Sequence, residues 1–399
     1  MGKKSYFPQL TSVKKGKPGA QSEKRAASSP ADIPFAVIVL VLVAFGLVML
    51  FSASYAVAFY RFNDSFHFIR SQAMFAVLGL VAMYVASRVD YHLLRPFAWP
   101  LMFVTWVLLV IVLFMEPLNG ARRWINFGFG TFQPSEIAKF AVILLFSFII
   151  SNNHEKMRSK DLLTSFNYGV LPFAVILLIL AALMLLEPHL SGTLLIFGIG
   201  AIMMFIGGTS LRWFGIGLAV GGGGIAAAVL FIKDLVPYAM TRIHTWLDPF
   251  SDASGAGHQV IQSLLAIGSG GAMGLGLGNS RQKHLYVPEP QNDFIFSIIC
   301  EELGFVGATL VILLFVALLL RGITIAVHAR DKFGAMLVVG IMAQVILQAV
   351  LNIAVVTGTI PNTGISLPFF SYGGTSLMML LGEMGIVLSV SRQANMEKT

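Results

Sequence analysis

The chain has 399 residues, 56% of them apolar and only 12% charged, with a formal net charge of +8. A soluble domain carries about 25% charged residues, so this composition excludes a soluble globular protein and points to a polytopic membrane protein. A single cysteine, Cys300, excludes an intrachain disulfide framework, and a basic tail with basic inner loops accounts for the positive charge without a nucleic-acid surface.

Residues 1–33 hold seven Lys and Arg among Gly, Pro and Ser. Nothing in this stretch builds a core, and it reads as a disordered cytoplasmic tail. The apolar run from Pro34 to Phe59 is too long for a signal-peptide core and is followed by no cleavage site, so it is the first span. Further spans are expected over 70–87, 97–115, 133–152, 170–186, 190–207, 211–232, 293–319, 333–357 and 369–391. The fold class is therefore an all-α polytopic membrane protein with about ten transmembrane helices in 34–391. A large extracytoplasmic loop, 233–292, lies between the seventh and eighth, and 392–399 form a cytoplasmic tail. With the N-terminus inside, 18 Lys and Arg fall in inner segments and eight in outer ones, with Lys139 inside a span, which places both termini in the cytoplasm.

The outer charges run against that trend and are the candidates for function. Arg122 and Arg123 precede the fourth span in GARRWINFGFGTFQPSEIAKF, where they suit a phosphate or diphosphate, or anchor at lipid headgroups. Glu136 and Lys139 are three residues apart on one helix face, a favourable ion pair that either joins helices or lines a site. The loop 233–292 carries Arg242, His244, Asp248, Asp252, His258, Arg281, Lys283, His284 and Glu289. Its glycine-rich run, 268–280, has neither a preceding strand nor a following GK[ST], so close packing or a re-entrant turn is expected rather than a phosphate loop. Its histidines lack the paired spacing of a zinc site.

The stretch His284 to Gly304, HLYVPEPQNDFIFSIICEELG, passes from a proline-bearing loop into the eighth span at Asp293, with Glu301 and Glu302 about two turns deeper. Acids inside a span are costly and read by default as functional. For Asp293 two readings stay open: a helix cap shared with Asn292, or a chemically active carboxylate. Before the last span, VVTGTIPNTGISLPFFSYGGTSL is uncharged, broken by proline and glycine, and rich in hydroxyl and amide groups. Such backbone is tolerated at membrane depth only when buried in protein or lining a cavity. Together these features suggest a site for an amphiphile with a charged head.

Four stretches resemble the SEDS family of bacterial cell-wall proteins: GARRWINFGFGTFQPSEIAK, RIHTWLDPFSDASGAGHQVIQSLLAIGSGG, GLGLGNSRQKHLYVPEPQNDFIFSIICEELGFVG and TGTIPNTGISLPFFSYGGTSL. The resemblance covers the chain after the tail, and the 268–304 stretch is closer to the FtsW/SpoVE branch than to RodA. It implies a ten-span glycosyltransferase that polymerises lipid II for septal wall synthesis, with a class B penicillin-binding protein and other divisome membrane proteins as partners. The family's essential acid falls on Asp293. Its tryptophan-preceding arginine falls on Arg123, and its QPSE..K motif on Gln133, Pro134, Ser135, Glu136 and Lys139. The candidate substrate-binding residues are thus Arg123, Glu136, Lys139, Arg242, Arg281, Lys283 and Ser371. Two departures stand out: His189 and its neighbours replace a common Pro-Asp-x-Gly-Thr motif, so no acid is carried over there, and Arg70, Ser71 and Gln72 replace an Arg-Gln pair.

The implied chemistry suits these residues. Glycosyl transfer needs one base for the acceptor hydroxyl, and a partly desolvated carboxylate serves. The departing diphosphate needs Arg, Lys or a divalent cation, magnesium or manganese. A single inverting displacement needs no second carboxylate, and none lies beside Asp293 by spacing. Two rival functions remain, a lipid II flippase or other transporter and a non-catalytic scaffold for a penicillin-binding protein.

Overall fold

The computed structural model describes residues 31–116, 122–126, 131–187, 189–220, 244–253, 255 and 257–394. Apolar runs of this length fold as helices because, in hydrocarbon, each backbone N–H and C=O must find its partner within the protein. The helices are α1 (Ile33–Phe62), α2 (His67–Arg88), α3 (Ala98–Val112, entered through a 3-10 turn at Tyr91–Phe97), α4 (Pro134–Met157), α5 (Leu162–Gly169), α6 (Leu171–Leu186) and α7 (Leu190–Gly207). They continue with α8, described over Leu211–Val220, then α9 (His258–Gly270), α10 (Ile295–Val327), α11 (Lys332–Val356) and α12 (Gly374–Gln393).

Among the described residues nine spans are long and apolar enough to cross a membrane, with α5 and α6 forming one of them. The seventh expected span, 211–232, is described only as α8. Its remainder, residues 1–30 of the tail, Lys233, Arg242 and the last five residues lie outside the described residues. One antiparallel ladder of two residues per strand, Ile125 opposite Phe132, is the sole β pairing described. The last span starts five residues later than expected, at Gly374, because Phe369 takes φ 68° and the chain straightens into a helix only after Gly373.

The spans are not equivalent. In α4, α11 and α12 between 61% and 72% of the spanning window is buried, against 28–44% in the others, so these three form the centre of the bundle and the rest form its lipid-facing wall. At one end of the bundle Asp32 caps α1 through Phe35 N–H (2.9 Å), meets Arg321 of α10 (2.9 Å) and donates its own N–H to Ser391 (3.2 Å). Both described chain ends therefore lie on one face. At the opposite face Arg61 pairs with Glu289 and Arg123 donates to the carbonyl of Glu187.

The α10 helix is broken at Gly304, whose φ of 65° and ψ of −164° are not helical. The glycine-rich run after α9 turns back into the bundle and completes the break. Leu275 and Gly276 donate to the carbonyls of Glu301 and Glu302 (2.9 Å each), while Phe305 and Val306 donate to Gly271 and Ala272 (2.9 and 3.2 Å). These four bonds satisfy groups at the interruption, as irregular backbone at membrane depth requires. They require glycine, since a Cβ on Gly274 would meet Glu302 O at 2.1 Å and one on Gly304 would meet Gly274 N at 2.3 Å. The run is thus a re-entrant turn, as its composition suggested.

Glu301 and Glu302, expected as functional acids, belong to this clamp. Glu301 accepts from the hydroxyl of Ser280 and from Arg281 N–H (2.9 Å), and Glu302 accepts from Ser52 and from Lys283 (2.6 Å). Each carboxylate is consumed in holding the loop against α10 and α1.

Candidate active site

The uncharged segment 357–373 between α11 and α12 forms the centre of the site. It is non-helical, and side chains from surrounding elements hold its backbone in place alongside its own main-chain bonds. Trp246 donates to Gly358 O (2.8 Å), Ser191 to Thr363 O, and Asn352 to Ile365 O (2.6 Å). Gln72 of α2 both donates to Ser371 O (3.3 Å) and accepts from Gly373 N–H (3.1 Å). With so many ties the segment is a fixed wall rather than a loose connection.

Asp293 stands against that wall. The carbonyls of three successive residues, Gln291, Asn292 and Asp293, accept from Tyr372 N–H (2.8 Å), the Ser371 hydroxyl (2.7 Å) and Asn352 Nδ2 (2.7 Å). The α10 helix begins two residues later with Phe294 at its cap position, a residue that offers no side-chain cap, and the Asn292 amide turns to Glu289 (3.3 Å). The Asp293 carboxylate lies over Gly364, where an added Cβ would sit 3.3 Å from Oδ2.

On its other side Gly364 lines a small cavity with Gln133, Glu136, Lys139, His189 and Gln348. The expected pair is present: Lys139 Nζ lies 2.9 Å from Glu136 Oε2, and Lys139 is 4% exposed. Ser376 donates to the same carboxylate oxygen (2.7 Å), and Lys139 reaches Gln348 (3.4 Å). Deeper still, Gln344 donates to Glu383 (2.9 Å). These groups put a buried ammonium and its counter-ions beside the Asp293 wall, at the heart of the bundle.

Arg123 approaches from the end of the bundle opposite Asp32, half-buried, with Nε 3.3 Å from Glu187 O. Arg122 is exposed and bonded to Leu113 O (3.0 Å), at the surface. Between Arg123 and the cavity lie Glu187 and His189. Burial pushes the Glu187 carboxyl up to about 8 against the pull of Arg123. Burial, with Arg123 and Lys139 nearby, pushes His189 down to about 3, so the imidazole is neutral.

The signs of these two shifts predict a pH response. Between about 4.5 and 8 the folded protein holds a proton at Glu187 that the unfolded chain has released, so stability falls as pH rises. Between about 3 and 6.5 the unfolded chain holds a proton at His189 that the folded protein lacks, so that contribution to stability rises with pH. Above 6.5 only Glu187 of the two still titrates. Replacing it, Glu187→Gln, is expected to flatten the decline in thermal midpoint between pH 6.5 and 8, measured in detergent. A decline as steep as that of the parent would place the titrating group elsewhere.

Several candidate binding residues are placed differently from expectation. Lys283 is fully buried, its Nζ 2.6 Å from Glu302 Oε1 and 4.7 Å from the Tyr55 ring centroid, so its charge is spent inside the scaffold and does not face a ligand. Arg281 contributes its backbone N–H to Glu301, and its residue is exposed. The Ser371 hydroxyl accepts from Leu367 N–H (2.7 Å) while donating to Asn292 O, which makes it a tie between walls. Arg242 lies outside the described residues. Arg70 pairs with Asp64 at the surface (2.9 Å), apart from the site. Missed by the sequence reading were Gln72, His189, Gln344, Gln348, Asn352, Ser376 and Glu383. A signal existed for three of them: Gln344, Gln348 and Asn352 recur every four residues along an apolar helix, one polar stripe facing the core.

Comparison with known proteins bears on this geometry. Residues 33–396 match the model of a family of cell cycle proteins, FtsW/RodA/SpoVE. The chain is 42% identical over 364 residues to stage V sporulation protein E of Bacillus subtilis (strain 168), covering 90% of this chain and 97% of that one. It is 40% identical over 364 residues to a probable peptidoglycan glycosyltransferase FtsW of Trichlorobacter lovleyi, covering 90% and 93%. Among solved structures, a chain of a peptidoglycan synthase complex that coordinates polymerization and crosslinking superposes with a TM-score of 0.74 at 29% identity, covering 92% and 99%. The rod shape determining protein RodA of Thermus thermophilus gives 0.66 at 26%, covering 92% and 98%.

Proposed function

The chain belongs to the FtsW/RodA/SpoVE family, and from that premise and the geometry of its site we infer that it is a peptidoglycan glycosyltransferase that polymerises lipid II. The observation that carries this reading is the Asp293 carboxylate held over Gly364, one residue's width from the cavity of Lys139 and Glu136. In the reaction Asp293 takes the proton of the acceptor sugar's 4-hydroxyl. That oxygen forms a bond to the anomeric carbon of the donor, and the bond from this carbon to the lipid diphosphate breaks. One carboxylate suffices for a single inverting displacement.

The diphosphate leaves carrying negative charge, which Arg123 at the outer end and Lys139 inside are placed to meet, with Glu136 setting the height of Lys139. Among the described residues no cluster of three or more His, Cys, Asp or Glu is arranged to hold a metal ion, so a magnesium or manganese ion would arrive with the diphosphate and would supply further charge neutralisation to it. Neutral His189 adds no counter-charge between the two cations.

Purified protein in detergent should convert lipid II into glycan strands. A flippase or other transporter, which the buried Lys139, Glu136 and Glu383 would also suit, shows nothing without a sealed membrane. Arg123→Ala is expected to raise KM for lipid II severalfold or more with the fold intact, since a charge-assisted contact contributes about 1.5–3 kcal/mol. Unchanged turnover at limiting lipid II would remove Arg123 from the site.

The setting follows from the same reading. The chain lies in the bacterial cytoplasmic membrane with both termini in the cytoplasm, in line with the 18-to-8 division of Lys and Arg and with the two described ends sharing one face. Its substrate side is outer, its partner a class B penicillin-binding protein that crosslinks the new strand, and its place the division septum among other divisome membrane proteins.

A further inference from the structure

Asn352 is fully buried in the last turns of α11. Its amide nitrogen donates to Asp293 O (2.7 Å) and to Ile365 O (2.6 Å). Both neighbours of Nδ2 are carbonyl oxygens, which only accept, so the orientation of the amide is fixed: turned over, its oxygen would face two others. One amide group thus spans from the residue that bears the base to the residue that follows Gly364. Gly364 is the backbone over which the base's Oδ2 lies, and its φ of 70° holds that backbone close. The two walls of the reaction site meet at this side chain as well as at Ser371 and the Tyr372 N–H.

We propose that Asn352 is a positioning residue, which sets the distance of the Asp293 carboxylate from the wall at Gly364 and through it from the acceptor hydroxyl. This rests on Asp293 being the general base. The other ties between these walls involve main chain or Ser371: Tyr372 N–H holds Gln291, and Ser371 holds Asn292. Asn352 alone among the described bonds grips Asp293 itself and the opposite wall together. Both bonds of the Asn352 amide end on main-chain carbonyls rather than on a phosphate-binding side chain, so its loss should leave binding of the diphosphate in place. A base displaced by about 1 Å costs on the order of 10²-fold in rate, and the effect falls on kcat.

The test is steady-state polymerisation of lipid II by the purified full chain, with kcat and KM resolved and folding followed by thermal unfolding in detergent. Asn352→Ala should lower kcat by about 10²-fold with KM near that of the parent. Ser263→Ala serves as the comparison, because it removes a buried bond from the Ser263 hydroxyl to Val356 O (2.9 Å) on the same helix without touching either wall. It should shift the unfolding midpoint while kcat stays. Gly364→Ala moves the same spacing from the opposite side, leaves Asn352 in place, and should reproduce the selective fall in kcat; it stands in if Asn352→Ala fails to fold. Folded Asn352→Ala or Gly364→Ala with parental kcat overturns the positioning role, as does a joint change in kcat and KM matching that of Ser263→Ala. If Asp293→Asn itself polymerises normally, the assignment of the base has failed instead.

Discussion

Asp293→Asn is expected to abolish polymerisation, by about 10²–10⁴-fold, while leaving the protein folded. The substitution preserves size and shape, and the anchoring of residue 293 runs through its own carbonyl, which Asn352 grips and which asparagine retains. What disappears is basicity. A helix cap would behave differently, because asparagine caps as well as aspartate and the variant would stay active. The measurement is strand formation from lipid II by detergent-solubilised protein, alongside its unfolding midpoint. A folded and active Asp293→Asn enzyme would leave the proposed mechanism without its base and would revive the scaffold reading.

The second large effect concerns stability. Lys283 and Glu302 are both fully buried and 2.6 Å apart. Removing one member of such a pair strands the other charge and costs about 3–5 kcal/mol, whereas neutralising both is often tolerated. Lys283→Met should therefore lower the unfolding midpoint sharply, and Lys283→Met with Glu302→Gln should recover most of the loss. The recovered double variant should also keep the parental KM for lipid II. A stable Lys283→Met protein with a raised KM would instead return Lys283 to the substrate site.

Much of the architecture was legible because apolar runs of about 20 residues have few alternatives in a membrane. The span 190–207 agrees with α7 at both ends, and the pairing of Glu136 with Lys139 follows from their spacing alone. The glycines of 268–280 announced close backbone approach, although not that the partner would be the broken helix itself. What escaped were relations between distant segments. Placing the two glutamates about two turns below Asp293 assumed one helix from residue 293, but the helix starts at Ile295 and the glutamates face the loop. Lys283 looked like any outer cation until its partner, nineteen positions on, appeared beside it. Asn352, Gln348 and Gln344 merely diluted an apolar run, since hydropathy averages discard the face on which a polar residue sits.

The ties that fix residues 291–293 end on main-chain carbonyls, and one of them, from Tyr372, begins on a main-chain N–H. A linkage of this kind is indifferent to the identity of the side chains it joins: every residue but proline offers the same N–H at 372, and every residue offers the same carbonyl at 291. It is sensitive instead to count. One residue inserted between 359 and 370 would slip the register of the bonds from Ser371 and Tyr372, while the Asn352–Asp293 tie, whose two ends both precede the insertion, would keep its spacing, and the two walls would part with every functional side chain still present. Descent can therefore rewrite much of the lettering around this site, but the number of residues between its anchors is the part that must be inherited intact.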